Sequence, residues 1–286
     1  MKLGILTSGD IGKDTLEKII LDYKICFVLT DSNSLSIIEL CTNYKIPFFK
    51  GNPRDGSAYE FVKNYNIDLI ISINYLFLIK SDIINHPKIL SFNIHGSLLP
   101  KYRGRTPHVW SIINNEKNTG ITAHIIDTGC DTGDIITKII IPINQNDTGF
   151  DILNKYRSEY YNLVKDVIKK IESGKLNLIK QDEKLSTYFG KRTPQDGKIN
   201  WNWQKQRIKN WVRALAYPYP GAFSYFGNKK IIIDEVVFSK IGFKYDVPNG
   251  TIIANEPNII VKTPNGTLEL KKLRESVAFN VGDKLI

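Results

Sequence analysis

The sequence predicts an α/β fold, a mostly parallel sheet flanked by helices, followed by a small C-terminal open β-barrel. Three observations predict it. In the first half, short apolar runs alternate with stretches of helical periodicity, as a parallel sheet with crossover helices requires. Past Gly120 the extended runs become closely spaced. In the last third, short extended runs are separated by Asn249-Gly250 and Asn265-Gly266, turn dipeptides that join antiparallel strands.

The elements follow in order. Lys2–Thr7 is a first strand, closed by the turn Thr7-Ser8-Gly9-Asp10. Leu16, Ile19, Ile20 and Tyr23 then recur at helical spacing. Ile25–Leu29 is a second strand, Leu35–Asn43 a helix, Pro47–Phe49 extended and Ala58–Tyr65 helical. Leu69–Ile73 and Leu90–Ile94 are apolar runs of the length of buried strands. Ile121–Ile126 and Ile135–Ile141 are extended, and an amphipathic helix runs from about Phe150 to Ser173. These residues, 1–180, form the expected catalytic domain. Residues 181–200 are the expected linker, and 201–286 the second domain. That domain opens with a helix at Gln204–Ala216, followed by strands at Lys230–Phe238, Thr251–Ala254, Ile259–Thr263 and Thr267–Leu273.

A chain of 286 residues accommodates two domains, and its 42% hydrophobic content supplies a core for each. No run of about 18 uncharged apolar residues occurs, which argues against a membrane span. The first residues read as a strand rather than a signal peptide, so a cytoplasmic setting is expected. Cys26, Cys41 and Cys130 lack metal-type spacing and are expected as free thiols. The formal charge of +10 invites a nucleic-acid reading, but the lysines are scattered among Ile and Asn with no dense basic block. A general attraction for anionic substrates is the safer inference.

The densest chemical signal runs from Ser91 through Asn93, His95, Gly96 and Ser97 to Gly104. Asn93 and His95 lie two apart at the end of a strand, so both side chains face the same side of the sheet. The carboxyl ends of such strands are where open α/β sheets place ligands. A lone histidine there would pass as structural. With an adjacent amide it supplies an acid/base and an oxyanion partner, the minimal kit for acyl transfer. A second cluster, Asp127-Thr128-Gly129-Cys130-Asp131-Thr132-Gly133-Asp134, reads first as a turn. A calcium loop is disfavoured, since the spacing is wrong and no glutamate closes it. Asp131 instead suits the role of orienting His95 and favouring its imidazolium form.

The pattern Asn-x-His-x-Ser-Leu-Leu-Pro-x-Tyr-Arg-Gly, followed by Asp-Thr-Gly-Asp, resembles the folate-dependent formyltransferases. The resemblance spans essentially the whole chain and implies a Rossmann-like catalytic domain. It also implies 10-formyltetrahydrofolate as formyl donor, no metal, and Asn93, His95 and Asp131 as catalytic residues. The stretch matching the family's pterin pocket is Asn74, Tyr75, Leu76, Phe77, Leu78 and Ile79, together with Thr128, Gly129 and Asp131.

The family acts on several amines. Its glycinamide ribonucleotide members resemble only the first domain. Its methionyl-tRNA members carry a basic insertion after the second strand, where this chain has Thr30-Asp31-Ser32-Asn33-Ser34-Leu35 without a basic residue. The sugar-nucleotide N-formyltransferase branch fits better. Tyr188–Pro194 and the stretch from Val212 to Phe223 resemble the formyltransferase part of the enzyme that modifies UDP-4-amino-arabinose. Stand-alone relatives of this size act on dTDP-linked 3- or 4-amino-dideoxy sugars of O-antigen or other surface glycans, and family analogy points to a homodimer. Such an acceptor needs cations for its diphosphate and flat rings for its base and sugar. The candidates are Lys101, Arg103, Arg105, Lys191 and Arg192, with Tyr102, Trp110, Tyr217 and Tyr219, and Ser97 beside the catalytic turn. The non-enzyme alternative is a nucleotide-binding module; the intact Asn/His/Asp set argues against it.

Overall fold

A computed structural model describes residues 1–286. The chain divides into two compact units. The first comprises Met1–Gly104, Thr119–Ile141 and Lys155–Phe189; the second comprises Arg105–Asn118, Pro142–Asn154 and Gly190–Ile286.

In the first unit β1 (Lys2–Thr7) leads into α1 (Gly9–Asp22), β2 (Lys24–Thr30) into α2 (Leu35–Asn43), and β3 (Phe48–Lys50) into α3 (Ser57–Val62). Next come β4 (Leu69–Ile73), the short α4 (Ser81–Ile84) and β5 (Leu90–His95). The two-residue β6 (Arg103–Gly104) follows; the chain then passes through α5 (Pro107–Ile113), which belongs to the second unit, before β7 (Asn118–Ile125), β8 (Ile135–Pro142) and α6 (Gly149–Glu172), whose first turns also fall in the second unit. The main sheet has seven strands in the order β3-β2-β1-β4-β5-β7-β8. β1 to β5 pair in parallel, while β7 runs antiparallel to β5. The expected α/β sheet is therefore present.

The central strands are buried on both faces, which explains why β4 reads Leu-Ile-Ile-Ser-Ile without polar alternation. One core cluster joins Leu6, Phe27, Leu29, Ala58, Val62, Ile67, Ile70 and Ile83. α6 buries Tyr156, Tyr160, Leu163, Val164 and Val167, a stripe at helical spacing. Three parallel strands, β1, β4 and β5, thus end along one edge, at Thr7, Ile73 and His95. β9 (Tyr188–Phe189) pairs in parallel with β6.

In the second unit α7 (Lys205–Leu215) buries Ile208, Trp211, Val212 and Leu215, again a helical stripe. It is followed by β10 (Ala222–Phe226), β11 (Lys229–Ser239), β12 (Ile252–Ala254), β13 (Ile260–Thr263) and β14 (Gly266–Leu273). They form an antiparallel sheet in the order β10-β11-β14-β13-β12. β10 was not among the expected strands; Gly227, at φ 56, supplies the turn that marks it. The chain end then covers both sheet edges. Ile252 and Gly250 exchange backbone bonds with Gly282–Leu285, and Tyr225 of β10 exchanges two with Ile286. Edge groups left open would invite pairing with another chain. No helix is long and apolar enough to cross a membrane.

Candidate active site

The site begins as a single row across the sheet. Leu6 of β1 sits in register with Ser72 of β4, Ser72 with Asn93 of β5, and Asn93 with His124 of β7. Residues in one register row present their side chains on one face. All four line a cleft of about 590 Å³, counting the part open to solvent. One wall is Tyr75, Phe77, Leu78 and Ile79; the other is the loop from Ile126 to Asp131.

Asn93 and His124 define each other. His124 Nδ1 lies 2.8 Å from the Ile125 carbonyl oxygen, which can only accept, so the ring proton sits on Nδ1. Nε2 then offers its lone pair to Asn93 Nδ2 at 3.1 Å. This assigns the Asn93 amide: its NH₂ faces His124 and keeps a second N–H to donate. His124 was absent from the sequence-based candidates. Its signal was there, as the one ring nitrogen donor in the apolar run Ile121–Ile126, but only the register of β5 against β7 makes it meaningful.

His95 is buried, with Nε2 2.7 Å from the carbonyl oxygen of Tyr102. Its Nδ1 lies 3.4 Å from Asp131 Oδ1. Burial pushes the His95 pKa below the ordinary histidine value, against the upward pull of Asp131 and the Tyr102 carbonyl. Desolvation thus works against the imidazolium expected from Asp131, and the Tyr102 carbonyl fixes the proton of the neutral ring on Nε2. Nδ1 is left as a basic lone pair beside a carboxylate. Burial by itself would raise the Asp131 pKa, but positive charge on His95 or His124 when either ring is protonated, together with the Gly104 N–H, holds it well below the usual carboxylate range. Asp131 Oδ2 accepts from Gly104 N at 2.9 Å. Gly104 has φ 96, and a Cβ there would stand 2.4 Å from the Phe189 carbonyl oxygen, so this donor position is reserved for glycine.

The expected pterin-pocket residues separate into two groups. Tyr75, Phe77, Leu78, Ile79, Thr128, Gly129 and Asp131 line the cleft. Asn74 and Leu76 do not. Asn74 takes φ 52 and ties the end of β4 to the Ser8 carbonyl at 2.9 Å, while Leu76 is largely exposed. The Tyr75 hydroxyl is buried without a protein partner. Ser72, Ile126, Asp127 and Cys130 complete the lining.

Three expected acceptor residues of the first unit are corrected. Ser97 is fully buried, its hydroxyl bonded to the Lys101 carbonyl at 2.7 Å. The Tyr102 ring stacks on Phe189 at 5.0 Å between centroids. Arg103 is fully buried and committed to Gln181, Glu183 and Tyr188, so its guanidinium presents nothing to a diphosphate. A basic residue beside a catalytic motif reads as a ligand in sequence; here its fork meets carboxylate and amide partners some 80 residues away. Lys101 is exposed. In the second unit, Arg105 and Lys191 are exposed, and Arg192 lies between the Trp110 and Trp211 rings, 5.3 and 4.8 Å from their centroids. Tyr219 donates to or accepts from His108 Nε2 at 2.8 Å, and Tyr217 is exposed.

Comparison with known proteins decides the family. The family described as formyl transferase matches residues 20–168, and the formyl transferase C-terminal domain matches residues 191–278. This chain belongs to the formyl transferase family. Two solved structures that resemble it over nearly their whole length are sugar N-formyltransferases. A curated relative, the bifunctional polymyxin resistance protein ArnA of Wigglesworthia glossinidia brevipalpis, is 37% identical over 272 residues. That match covers 91% of this chain but only 41% of the relative's length. Among solved structures, WlaRD, a sugar 3N-formyltransferase determined with dTDP and 5-N-formyl-THF, is 25% identical with a TM-score of 0.71. It aligns over 97% of this chain and 99% of its own. The N-formyltransferase from Helicobacter canadensis, in complex with folinic acid and dTDP-3-aminofucose, is 26% identical with a TM-score of 0.72, over 96% and 99% of the two chains.

Proposed function

We propose that this formyltransferase moves the formyl group of 10-formyltetrahydrofolate onto the primary amine of a nucleotide-linked amino sugar, a dTDP-linked 3- or 4-amino-dideoxy hexose, in the cytoplasm and for a surface glycan such as O-antigen. The observation that carries the reading is that Asn93 and Asp131 line one cleft whose size and lining suit a flat heterocycle, with buried His95 3.4 Å from Asp131. Likeness to two sugar N-formyltransferases solved with formyl-folates and dTDP ligands supports both donor and acceptor. The cleft residues fit a folate. Tyr75, Phe77, Ile79 and Ile126 offer apolar faces, the 127–131 loop offers backbone polar groups, and the buried Tyr75 hydroxyl awaits a partner. When bound, the folate supplies an electrophilic formyl carbon on N10.

The chain's own residues then have separable tasks. Asn93 donates its second N–H to the formyl oxygen as negative charge builds there. Neutral His95 would accept the amine proton at Nδ1 beside Asp131 and return it to the departing nitrogen of the donor, so that the donor's formyl C–N bond breaks as the new formamide C–N bond is kept. On the acceptor side, Lys101, Arg105, Lys191, Arg192, Trp110, Tyr217 and Tyr219 remain the proposed partners for diphosphate, sugar and base. Residues 1–180 carry the proposed catalytic groups and 201–286 form the C-terminal domain; of the expected linker 181–200, the part up to Phe189 belongs to the first unit.

The acceptor is not tRNA. The Thr30–Leu35 segment is a tight turn closed by Asp31, which accepts from Asn33 N and Ser34 Oγ at 2.8 and 2.6 Å, and it carries no basic residue. Purified protein given the folate donor formylates a dTDP-amino sugar and leaves methionyl-tRNA unchanged; efficient formylation of the tRNA overturns this reading. The resemblance of Tyr188–Pro194 and Val212–Phe223 to the enzyme that modifies UDP-4-amino-arabinose makes that sugar nucleotide the second acceptor to include.

A further inference from the structure

We propose that Gln181 and Arg103 are positioning residues for the formyl transfer: together they hold the turn that presents Asp131 to His95. The functional consequence rests on the reading above; the geometry does not. Gln181 is buried, and its amide is engaged at both ends. Nε2 donates to the carbonyl oxygens of Asp131 at 2.9 Å and Gly133 at 2.7 Å. Oε1 accepts from Arg103 Nε at 3.2 Å and Nη2 at 2.8 Å. The other orientation would aim the amide oxygen at two carbonyls and its NH₂ at a guanidinium, so the network admits only one. Arg103 is held in turn by both Glu183 carboxylate oxygens, at 2.9 and 2.7 Å, and by the Tyr188 hydroxyl.

Asp131 needs such a clamp. It takes φ 58, the left-handed region, which is unfavourable for a residue with a side chain and persists only where its surroundings over-determine it. Here the surroundings are the Gln181 bonds to its carbonyl and to that of Gly133, with Gly104 N bonded to its Oδ2. The same strap reaches His95. Thr187 accepts from Arg103 N through its carbonyl and from Tyr102 N through Oγ1, and Phe189 stacks on Tyr102. Tyr102 then fixes the His95 ring through its carbonyl. A segment expected as linker thus holds both members of the His95–Asp131 pair. A purely structural Arg103–Glu183 pair would not need Gln181 to spend its donors on the Asp131 turn.

A double-mutant cycle tests this in the full-length protein: wild type, Gln181→Met, Asp131→Asn and both together. Nitrogen-15 NMR of the histidine rings reads the His95 titration with no substrate present; formamide production reads turnover. The groups facing His95 are Asp131, His124, Arg103 and the Tyr102 carbonyl, and Asp131 is the carboxylate that raises its pKa. Gln181→Met therefore moves the His95 titration to lower pH and lowers kcat by about 10–100-fold with KM little changed, the scale of a small misplacement. In the Asp131→Asn background it changes neither. An equal effect with and without the Asp131 carboxylate, or no effect in either, overturns the proposal. If the Met variant does not fold, Gln181→Glu runs the same cycle, since it keeps the acceptor for Arg103 and opposes the two carbonyls. Because the NMR arm needs no acceptor, absence of formamide in wild type counts against the amino-sugar reading and leaves the positioning result standing.

Discussion

Replacing His95 by asparagine lowers turnover by about 10²–10⁴, the range lost with a general acid or base, while the fold persists. Asparagine is too short to replace the Nε2 bond to the Tyr102 carbonyl, and it has no titratable nitrogen at the Nδ1 position. The pH profile separates chemistry from packing. Burial lowers the His95 pKa, so the neutral, proton-accepting ring exists throughout the neutral range and is lost only as pH falls below the ordinary histidine value. Wild-type kcat should therefore show an acid limb displaced below that value, and the variant should lack it. The acceptor amine's own ionisation is common to both proteins and cancels in the ratio. Unaltered turnover in His95→Asn at saturating substrates would remove His95 from the mechanism.

Asn93→Ala lowers kcat by about 10²–10³, the loss typical of one preorganised oxyanion donor. The structure explains why the amide is preorganised. The His124 proton is fixed on Nδ1 by the Ile125 carbonyl, and Nε2 then holds one Asn93 N–H, leaving the other committed in direction before any substrate arrives. Steady-state kinetics with both substrates varied distinguishes this from simple binding, because a variant that raises KM at constant kcat would show that Asn93 only anchors substrate.

The proposed trio was only partly local in sequence. Asn93 and His95 share a strand end, whereas Asp131 sits in a cluster that reads first as a turn and was singled out through the family resemblance. Strand and helix periods, which are local, marked β1 to β5. What escaped the sequence depends on contacts across long separations. Nothing in the neighbourhood of Arg103 announces that Gln181 and Glu183 will bury it, so it read as a phosphate ligand. Ser97 and Tyr102 read as substrate contacts because turn residues near a motif usually face solvent; here the hydroxyl and the ring close the turn itself. His124 became visible only through strand register. The strand at Ala222–Phe226 was hidden behind the Tyr217-Pro218-Tyr219-Pro220 stretch, whose stiffness masked the aromatic alternation that follows.

The most direct test of formyl transfer at this site follows the carbon itself. Purified protein is given 10-formyltetrahydrofolate labelled with carbon-13 in the formyl group, together with a dTDP-linked amino-dideoxy hexose, and the products are separated and weighed. The label should appear as a formamide on the sugar amine in wild type and fall to near background when Asn93 and His95 are both replaced. Label recovered only as free formate, or carried to the sugar equally well by the doubly substituted protein, would contradict the account.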